Sequence, residues 1–158
     1  VAHGGVVLLL LVLRDLHGTT GLDLYAGVGL FTRALARHFA RVVAVEADTD
    51  TAADLAANCA ALENVRPHCA NVAAFLAEWG EPADCVLLDP PRAGLSKEVV
   101  NELVRLRPRT LVYLSCDPAT LARDLKALAP TFRIELLELI DLFPQTFHIE
   151  SLVRLRAD

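Results

Sequence analysis

A chain of 158 residues is short enough to form one domain over residues 1–158, and its 54% apolar residues can fill one sizeable core. Its longest unbroken apolar run, residues 6–13, is far too short to cross a bilayer, and we interpret it as a buried helix or strand rather than a signal peptide. The net charge of −5 argues against a protein that grips nucleic acid unaided, so an RNA substrate would need a local basic surface or a further domain.

Short apolar runs alternate with longer helical patterns. The predicted strands cover residues 21–25, 41–46, 65–69, 83–88, 110–115, 132–140 and 151–156. The predicted helices cover residues 30–39, 49–62, 72–79, 96–106 and 118–128, with Ser96 as an N-cap and Pro118 in a first turn. Residues 42–45 and 86–88 are apolar on both strand faces, which is typical of a parallel sheet covered by helices. The pattern therefore predicts a doubly wound α/β domain with a mostly parallel sheet.

The loop after the first strand carries the first ligand signal, because such sheets bind ligands beyond the carboxyl ends of their strands. Gly27 and Gly29 form a G-x-G turn, which alone indicates only a tight strand–helix connection. Asp23 precedes the glycines, and Glu46 ends the next strand about 20 residues later, where a carboxylate can hold ribose hydroxyls. A dinucleotide site needs a third glycine where Thr32 stands, and Asp23 would repel a diphosphate. A cationic nucleoside, S-adenosylmethionine, fits both acids.

Two later strand ends agree with this interpretation. Asn71 follows the third strand and could meet an adenine edge. Asp89 ends the fourth strand and is followed by two prolines that stiffen the backbone. The structural alternative for Asp89 is a loop carboxylate that caps a helix. Its position at a strand's carboxyl end favours the functional interpretation.

Cys116 follows the fifth strand and precedes a helix N-terminus, whose partial positive charge stabilises a thiolate. The neighbouring Asp117 would oppose the thiolate unless it caps that helix. The remaining cysteines lie within helix or strand patterns, and we interpret them as small core side chains: Cys59, Cys69 and Cys85. The four cysteines show no metal-ligand spacing and no disulfide framework, so a reducing cytoplasm fits best.

A thiolate next to a bound sulfonium can activate a pyrimidine ring for methylation. Carbon 5 of uracil is a poor nucleophile, and thiolate addition to carbon 6 makes it an enolate carbon that can attack the methyl group. A base must then remove the carbon-5 proton. Residues 143–150 offer His148 and Glu150, although a surface loop with an exposed Glu is an equally good interpretation of this stretch.

Four segments resemble the RNA 5-methyluridine methyltransferases, which act on tRNA or ribosomal RNA: LDLYAGVG (22–29), DPPRAGL (89–95), SCDPATLARDL (115–125) and FPQTFHIE (143–150). The resemblance implies a class I S-adenosylmethionine-dependent methyltransferase (Rossmann-like) fold with a late antiparallel strand. It implies Cys116 as the nucleophile and Glu150 as the base. It also implies cofactor contacts at Tyr25, which packs on the cofactor, and at Leu30, Glu46, Asn71 and Asp89. His148 and Arg123 would shape the site.

The chain departs from the family pattern at three positions. Ala26 replaces a usual Cys that is not the nucleophile, Leu30 replaces a common polar residue, and Asp117 is often Asn. Family members also carry upstream regions, commonly an oligonucleotide-binding fold, which residues 1–17 do not resemble. We therefore expect a catalytic domain without its RNA-binding regions. Separately, we expect a monomer.

Three other functions compete. A methyltransferase acting on an exocyclic base amine uses a similar D-P-P turn but needs no thiolate. A non-catalytic module would bind cofactor or RNA without turnover. A nicotinamide-dependent dehydrogenase is disfavoured by the missing third glycine.

Overall fold

The computed structural model describes Leu13 and residues 15–140 and 150–158. Its strands are β1 (Gly18–Leu24), β2 (Phe39–Glu46), β3 (Val65–Cys69), β4 (Cys85–Leu88), β5 (Thr110–Ser115), β6 (Phe132–Ile140) and β7 (Glu150–Ala157). Its helices are α1 (Leu30–Leu35), α2 (Thr49–Cys59), α3 (Val72–Glu78), α4 (Lys97–Leu106) and α5 (Pro118–Leu128). The apolar run 6–13 lies outside the described residues except for Leu13.

The strands form one seven-stranded sheet in the order β3-β2-β1-β4-β5-β7-β6. Strands β1 to β5 are parallel, and β7 runs antiparallel to both β5 and β6. The predicted doubly wound, mostly parallel sheet with a late antiparallel strand is therefore confirmed. Reversal of the strand order between β1 and β4 places the crevice for a ligand at the carboxyl ends of these two strands.

Two hydrophobic clusters cover the two faces of the sheet. One packs α3, α4 and α5 against the sheet through side chains such as Leu76, Leu103 and Leu128. The other packs α1 and α2 through Leu35 and Leu55. Every residue of β4 and β5 is buried, as expected for central strands covered on both sides.

The helix predicted over residues 30–39 was wrong in its second part. Helix α1 ends at Leu35, and Phe39 already begins β2, where it pairs with Gly18. The ring of Phe39 is buried against Gly21, since a Cβ at that glycine would lie 3.1 Å from it. Packing of one aromatic ring into a space left by a glycine thus outweighs the helical pattern of the local sequence.

The described residues include no helix that is both long enough and apolar enough to pass through a lipid bilayer. Within the same residues, no group of at least three His, Cys, Asp or Glu side chains is placed to hold a metal ion.

Candidate active site

The loop between β1 and α1 makes an unusually tight turn. Tyr25, Gly27 and Gly29 have φ angles of 63°, 54° and 93°, all in the left-handed region that favours glycine. A Cβ at Gly29 would lie 2.8 Å from Cδ1 of Leu55, so helix α2 packs directly against this turn. A Cβ at Gly27 would meet no atom within 4 Å. The turn is therefore closed on its Gly29 side and leaves room for a ligand beside Gly27.

Asp23 is a buried carboxyl group with an incomplete set of partners. The residue is 1% exposed, and Thr32 donates a 2.5 Å hydrogen bond to its Oδ2. Its Oδ1 is buried and has no hydrogen-bond partner among the described residues. Burial raises the pKa of Asp23 to about 7, and the carboxylates of Asp89 and Glu46 add to this effect, against the Thr32 hydrogen bond. A cationic ligand would restore the charged form and give the orphaned oxygen a partner.

Thr32 is a hydrogen-bond partner of Asp23 that was missed from the sequence, where it counted only as the residue in place of a third glycine. Its side chain is fully buried on α1 and faces Asp23. A hydroxyl on the sheet-facing side of a helix, nine residues after an acid at a strand end, is the signal that could have found it.

Glu46 holds the glycine turn. Its Oε2 accepts a 2.9 Å hydrogen bond from the backbone N–H of Gly27, and its Oε1 accepts from the N–H groups of Ala47 and Asp48. Each carboxylate oxygen has two lone pairs, so the group keeps acceptor capacity for ribose hydroxyls. The predicted role at the ribose stays a prediction.

Asn71 lies at the neighbouring strand end, because the backbone N–H of Ala70 donates to the carbonyl of Glu46. Asn71 caps α3 by accepting hydrogen bonds from the N–H groups of Ala73 and Ala74 through Oδ1. Its Nδ2 makes no hydrogen bond to the part of the chain that the structure describes. This donor suits the adenine contact predicted from the sequence, which likewise stays a prediction.

Tyr25 and Leu30 flank the turn and differ in burial. Tyr25 is half-buried against the α3–α5 cluster, and burial, together with the Asp124 carboxylate, raises its pKa to about 12. Leu30 is 56% exposed at the start of α1. Tyr25 immediately follows β1 and Leu30 begins α1, on either side of the glycine turn, and their contacts with a cofactor remain predictions.

Asp89 follows β4, at the crevice between the carboxyl ends of β1 and β4. The residue is exposed overall, yet partial desolvation of its carboxyl group and the nearby Glu150 carboxylate raise its pKa to about 6. Asp89 also acts on the pKa of Asp23. Four acidic side chains therefore form a row of electrostatic neighbours along this edge of the sheet. Glu46 and Asp89 raise the pKa of Asp23, and Glu150 raises the pKa of Asp89. Such a row of carboxylates favours a positively charged ligand.

Cys116 follows β5 at the same edge of the sheet, and its thiol is free and half-exposed. Asp117 caps α5, since its Oδ1 accepts hydrogen bonds from the N–H groups of Thr120 at 2.9 Å and Ala119 at 3.0 Å. These hydrogen bonds hold the pKa of Asp117 below its usual range. The carboxylate is thus committed to the helix end, the arrangement in which it opposes a Cys116 thiolate least.

The pairing of β5 with β7 brings Glu150 next to Cys116. Ser115 lies opposite Ser151 in the antiparallel register, so the next residues outward on the two strands are Cys116 and Glu150. Residues opposite each other in such a pair project to the same face of the sheet. The carboxylate of Asp89 is near Glu150 as well. The register therefore gathers a thiol and two carboxylates beside the crevice.

The interpretation of Cys69 as a core side chain was wrong. Cys59 and Cys85 are buried, and burial raises the pKa of Cys85 to about 12. Cys69 is exposed because it is the last residue of β3, the edge strand. His148 and the rest of residues 141–149 lie outside the described residues.

A family model described as tRNA (uracil-5-)-methyltransferase matches residues 61–158. The chain is 42% identical over 137 residues to an uncharacterized RNA methyltransferase of Thermotoga maritima, covering 85% of this chain and 31% of the relative. It is 42% identical over 142 residues to the 23S rRNA (uracil(1939)-C(5))-methyltransferase RlmD of Pseudomonas fluorescens, covering 86% of this chain and 31% of the relative. The chain thus spans about a third of the length of these curated relatives.

A solved structure resembles the whole described fold. It is the Pyrococcus abyssi tRNA (uracil-54, C5)-methyltransferase in complex with S-adenosyl-L-homocysteine. The TM-score is 0.84 at 33% sequence identity, over 96% of this chain and 38% of that one.

Proposed function

The chain belongs to the tRNA (uracil-5-)-methyltransferase family, and from this premise we propose that it transfers a methyl group from S-adenosylmethionine to carbon 5 of a uridine in tRNA or rRNA. The observation that carries the proposal is the β5–β7 register, which sets a half-exposed thiol beside a carboxylate next to an acidic crevice.

The crevice fits the proposed methyl donor. S-adenosylmethionine supplies, when bound, an electrophilic methyl group on a sulfonium. The orphaned Oδ1 of Asp23 and the open space beside Gly27 suit a cationic ligand that comes close to the backbone. Glu46 and Asn71 would hold the ribose and the adenine. The Pyrococcus abyssi relative binds S-adenosyl-L-homocysteine, which is the product of such a transfer.

The chemistry follows from two side chains. The Cys116 thiolate uses its electron pair to form a bond to carbon 6 of uracil, and the π pair of the carbon 5–carbon 6 double bond moves onto carbon 5 as an enolate. Carbon 5 takes the methyl group, whose bond to the sulfonium breaks so that a neutral thioether would leave, and carbon 5 still carries its proton. Glu150 removes that proton, the carbon 5–carbon 6 double bond re-forms, and the thiolate leaves carbon 6. Asp89 lies close to this pair, since the Glu150 carboxylate helps to raise the pKa of Asp89 by like-charge repulsion.

The decisive experiment is a covalent trap. RNA containing 5-fluorouridine, incubated with the protein and S-adenosylmethionine, should give a stable protein–RNA adduct, because fluorine cannot leave carbon 5 as a cation. Peptide mass spectrometry should place the adduct on Cys116. Cys116→Ala should abolish the adduct, and Cys69→Ala, which removes the exposed thiol at the other end of the sheet, should not.

Two outcomes would overturn the proposal. An adduct that survives Cys116→Ala would move the nucleophile elsewhere. Methylation of RNA by Cys116→Ala at an unchanged rate would indicate a methyltransferase acting on an exocyclic amine, which needs no thiolate. Nucleoside analysis of methylated tRNA and rRNA fractions identifies the RNA class, which differs between the Pyrococcus abyssi and Pseudomonas fluorescens relatives.

A further inference from the structure

A buried carboxylate on α5 connects three parts of the site. Asp124 is 2% exposed and lies on the helix that begins directly after Cys116. Its Oδ2 accepts hydrogen bonds from the Tyr113 hydroxyl of β5 at 2.7 Å and from the backbone N–H of Leu95 at 2.8 Å. Its Oδ1 accepts from Nε and Nη2 of Arg123 at 2.9 and 2.7 Å. All four donors thus converge on one carboxylate.

Arg123 extends this grip along the loop between β4 and α4. Its Nη2 donates to the carbonyl oxygens of Ala93 at 2.9 Å and Leu95 at 3.2 Å. Two and three residues before Ala93, on the Asp89 side, the same loop contains Pro91 and Pro90. The guanidinium therefore binds the backbone of the loop and the Asp124 carboxylate at the same time.

The loop between β4 and α4 packs tightly against helix α5 at Gly94. A Cβ at Gly94 would lie 2.5 Å from Oδ2 of Asp124 and 2.7 Å from Nη2 of Arg123. A second contact is nearer Asp89, where the Thr120 hydroxyl donates to the carbonyl of Arg92 at 3.1 Å. The loop that carries Asp89 is therefore fixed to the helix whose first turn follows Cys116.

We propose that Asp124, with Arg123, is a positioning residue that sets the distance between the Asp89 loop and Cys116. The inference rests on the proposed function. Tyr113 belongs to the strand that delivers Cys116, so one carboxylate joins strand β5, helix α5 and the Asp89 loop. If this joint loosens, Cys116 and Asp89 no longer share one geometry around the uracil ring, whereas Asp23 on β1 and Glu46 on β2 keep their positions in the cofactor crevice.

The test separates positioning from simple loss of folding. With 5-fluorouridine RNA, the final amplitude of the adduct counts folded protein, and the rate constant reports the geometry around the uracil. Asp124→Asn, whose amide puts a donor in front of Arg123, should lower that rate constant by about 10- to 100-fold, the scale on which a misplacement near 1 Å acts. Its dissociation constant for S-adenosylmethionine should rise far less than the rate constant falls, because the proposed contacts at Asp23, Glu46 and Asn71 lie outside this joint and only Asp89 belongs to the attached loop.

Three further variants complete the design. Tyr113→Phe removes one hydroxyl without changing the core shape, and Arg123→Lys keeps the charge but loses the forked contact, so each should slow adduct formation less than Asp124→Asn. Lys126→Gln removes a charge from an exposed position of the same helix and should leave the rate unchanged. If Asp124→Asn does not fold, Tyr113→Phe and Arg123→Lys decide the question.

The inference is overturned if these variants form the adduct at the original rate constant, or if only the amplitude falls. It is also overturned if the affinity for S-adenosylmethionine falls by the same factor as the rate constant of adduct formation, since the variant would then disturb the whole site and not the Asp89 loop and Cys116 alone. Failure of the unaltered protein to form any adduct would reject the proposed function instead.

Discussion

The charge of Asp23 should make cofactor binding depend on pH. With a pKa of about 7, the Asp23 carboxyl group is about 9% ionised at pH 6 and about 70% ionised at pH 7.4. If a cationic ligand binds only the ionised form, its affinity should rise about eight-fold over this range, or about 1.2 kcal/mol. Asp89, with a pKa of about 6, adds at most about a two-fold rise.

The direction of this pH dependence follows from the burial of Asp23. Because the protein around Asp23 disfavours the charged carboxylate, the free protein keeps the proton at low pH, and a bound cation must displace it. Binding is therefore weak at pH 6 and strengthens as pH increases through 7. The α-ammonium group of the ligand stays mostly protonated below about pH 7.5 and contributes little to the slope.

Isothermal titration of S-adenosylmethionine at several pH values, with matched buffers of different ionisation enthalpy, measures both the affinity and the protons released. Asp23→Asn is the matched variant, because the amide is isosteric and its oxygen still accepts the Thr32 hydrogen bond. It should bind more weakly at pH 7.4 and retain only the shallow slope from Asp89. A flat pH profile in the unaltered protein, or an unchanged slope in Asp23→Asn, would refute this account of the crevice.

Two more outcomes are expected. Glu150→Gln should accumulate a methylated adduct on Cys116 with ordinary uridine RNA, because the amide cannot take the carbon-5 proton; mass spectrometry of the protein detects it, and rapid release of free methylated RNA would point to another base. Gly29→Ala should destabilise the fold by about 1–3 kcal/mol in thermal denaturation, since its Cβ would meet Leu55 at 2.8 Å with φ at 93°, whereas Gly27→Ala should cost less stability but weaken cofactor binding. Equal melting temperatures for the two alanine variants would contradict this difference.

The positions of most proposed site residues could be predicted from the sequence. Glu46, Asp89 and Cys116 each stand at the end of an apolar run or just after it, Asp23 lies near the end of the first predicted strand, and Asn71 follows the third. In a parallel sheet, all carboxyl ends meet at one edge, so knowledge of the strands is enough to gather these side chains. The cap at Asp117 was also predictable, because it depends only on the helix that follows directly.

The buried partners could not be predicted in the same way. Asp124 occupies a place in the apolar stripe of α5, three residues after Leu121 and four before Leu128, which marks it as buried. The sequence does not show which donors meet it there, since Tyr113, Leu95 and Arg123 converge only when strand, loop and helix are packed. The exposure of Cys69 was hidden for a related reason, because strand order, not strand sequence, makes β3 an edge.

Local pattern alone thus determined the class of fold, the crevice edge and the nucleophile candidate, because periodicity and parallel strands leave few other arrangements. The tertiary structure alone decided that Glu150 lies beside Cys116, since this depends on the register of an antiparallel pair separated by more than thirty residues of chain. It also decided that the pKa of Asp23 is raised to about 7. The pKa of a carboxyl group is set by what surrounds it in space, and the neighbours of Asp23 come from helix α1, strand β2 and the residue that follows β4.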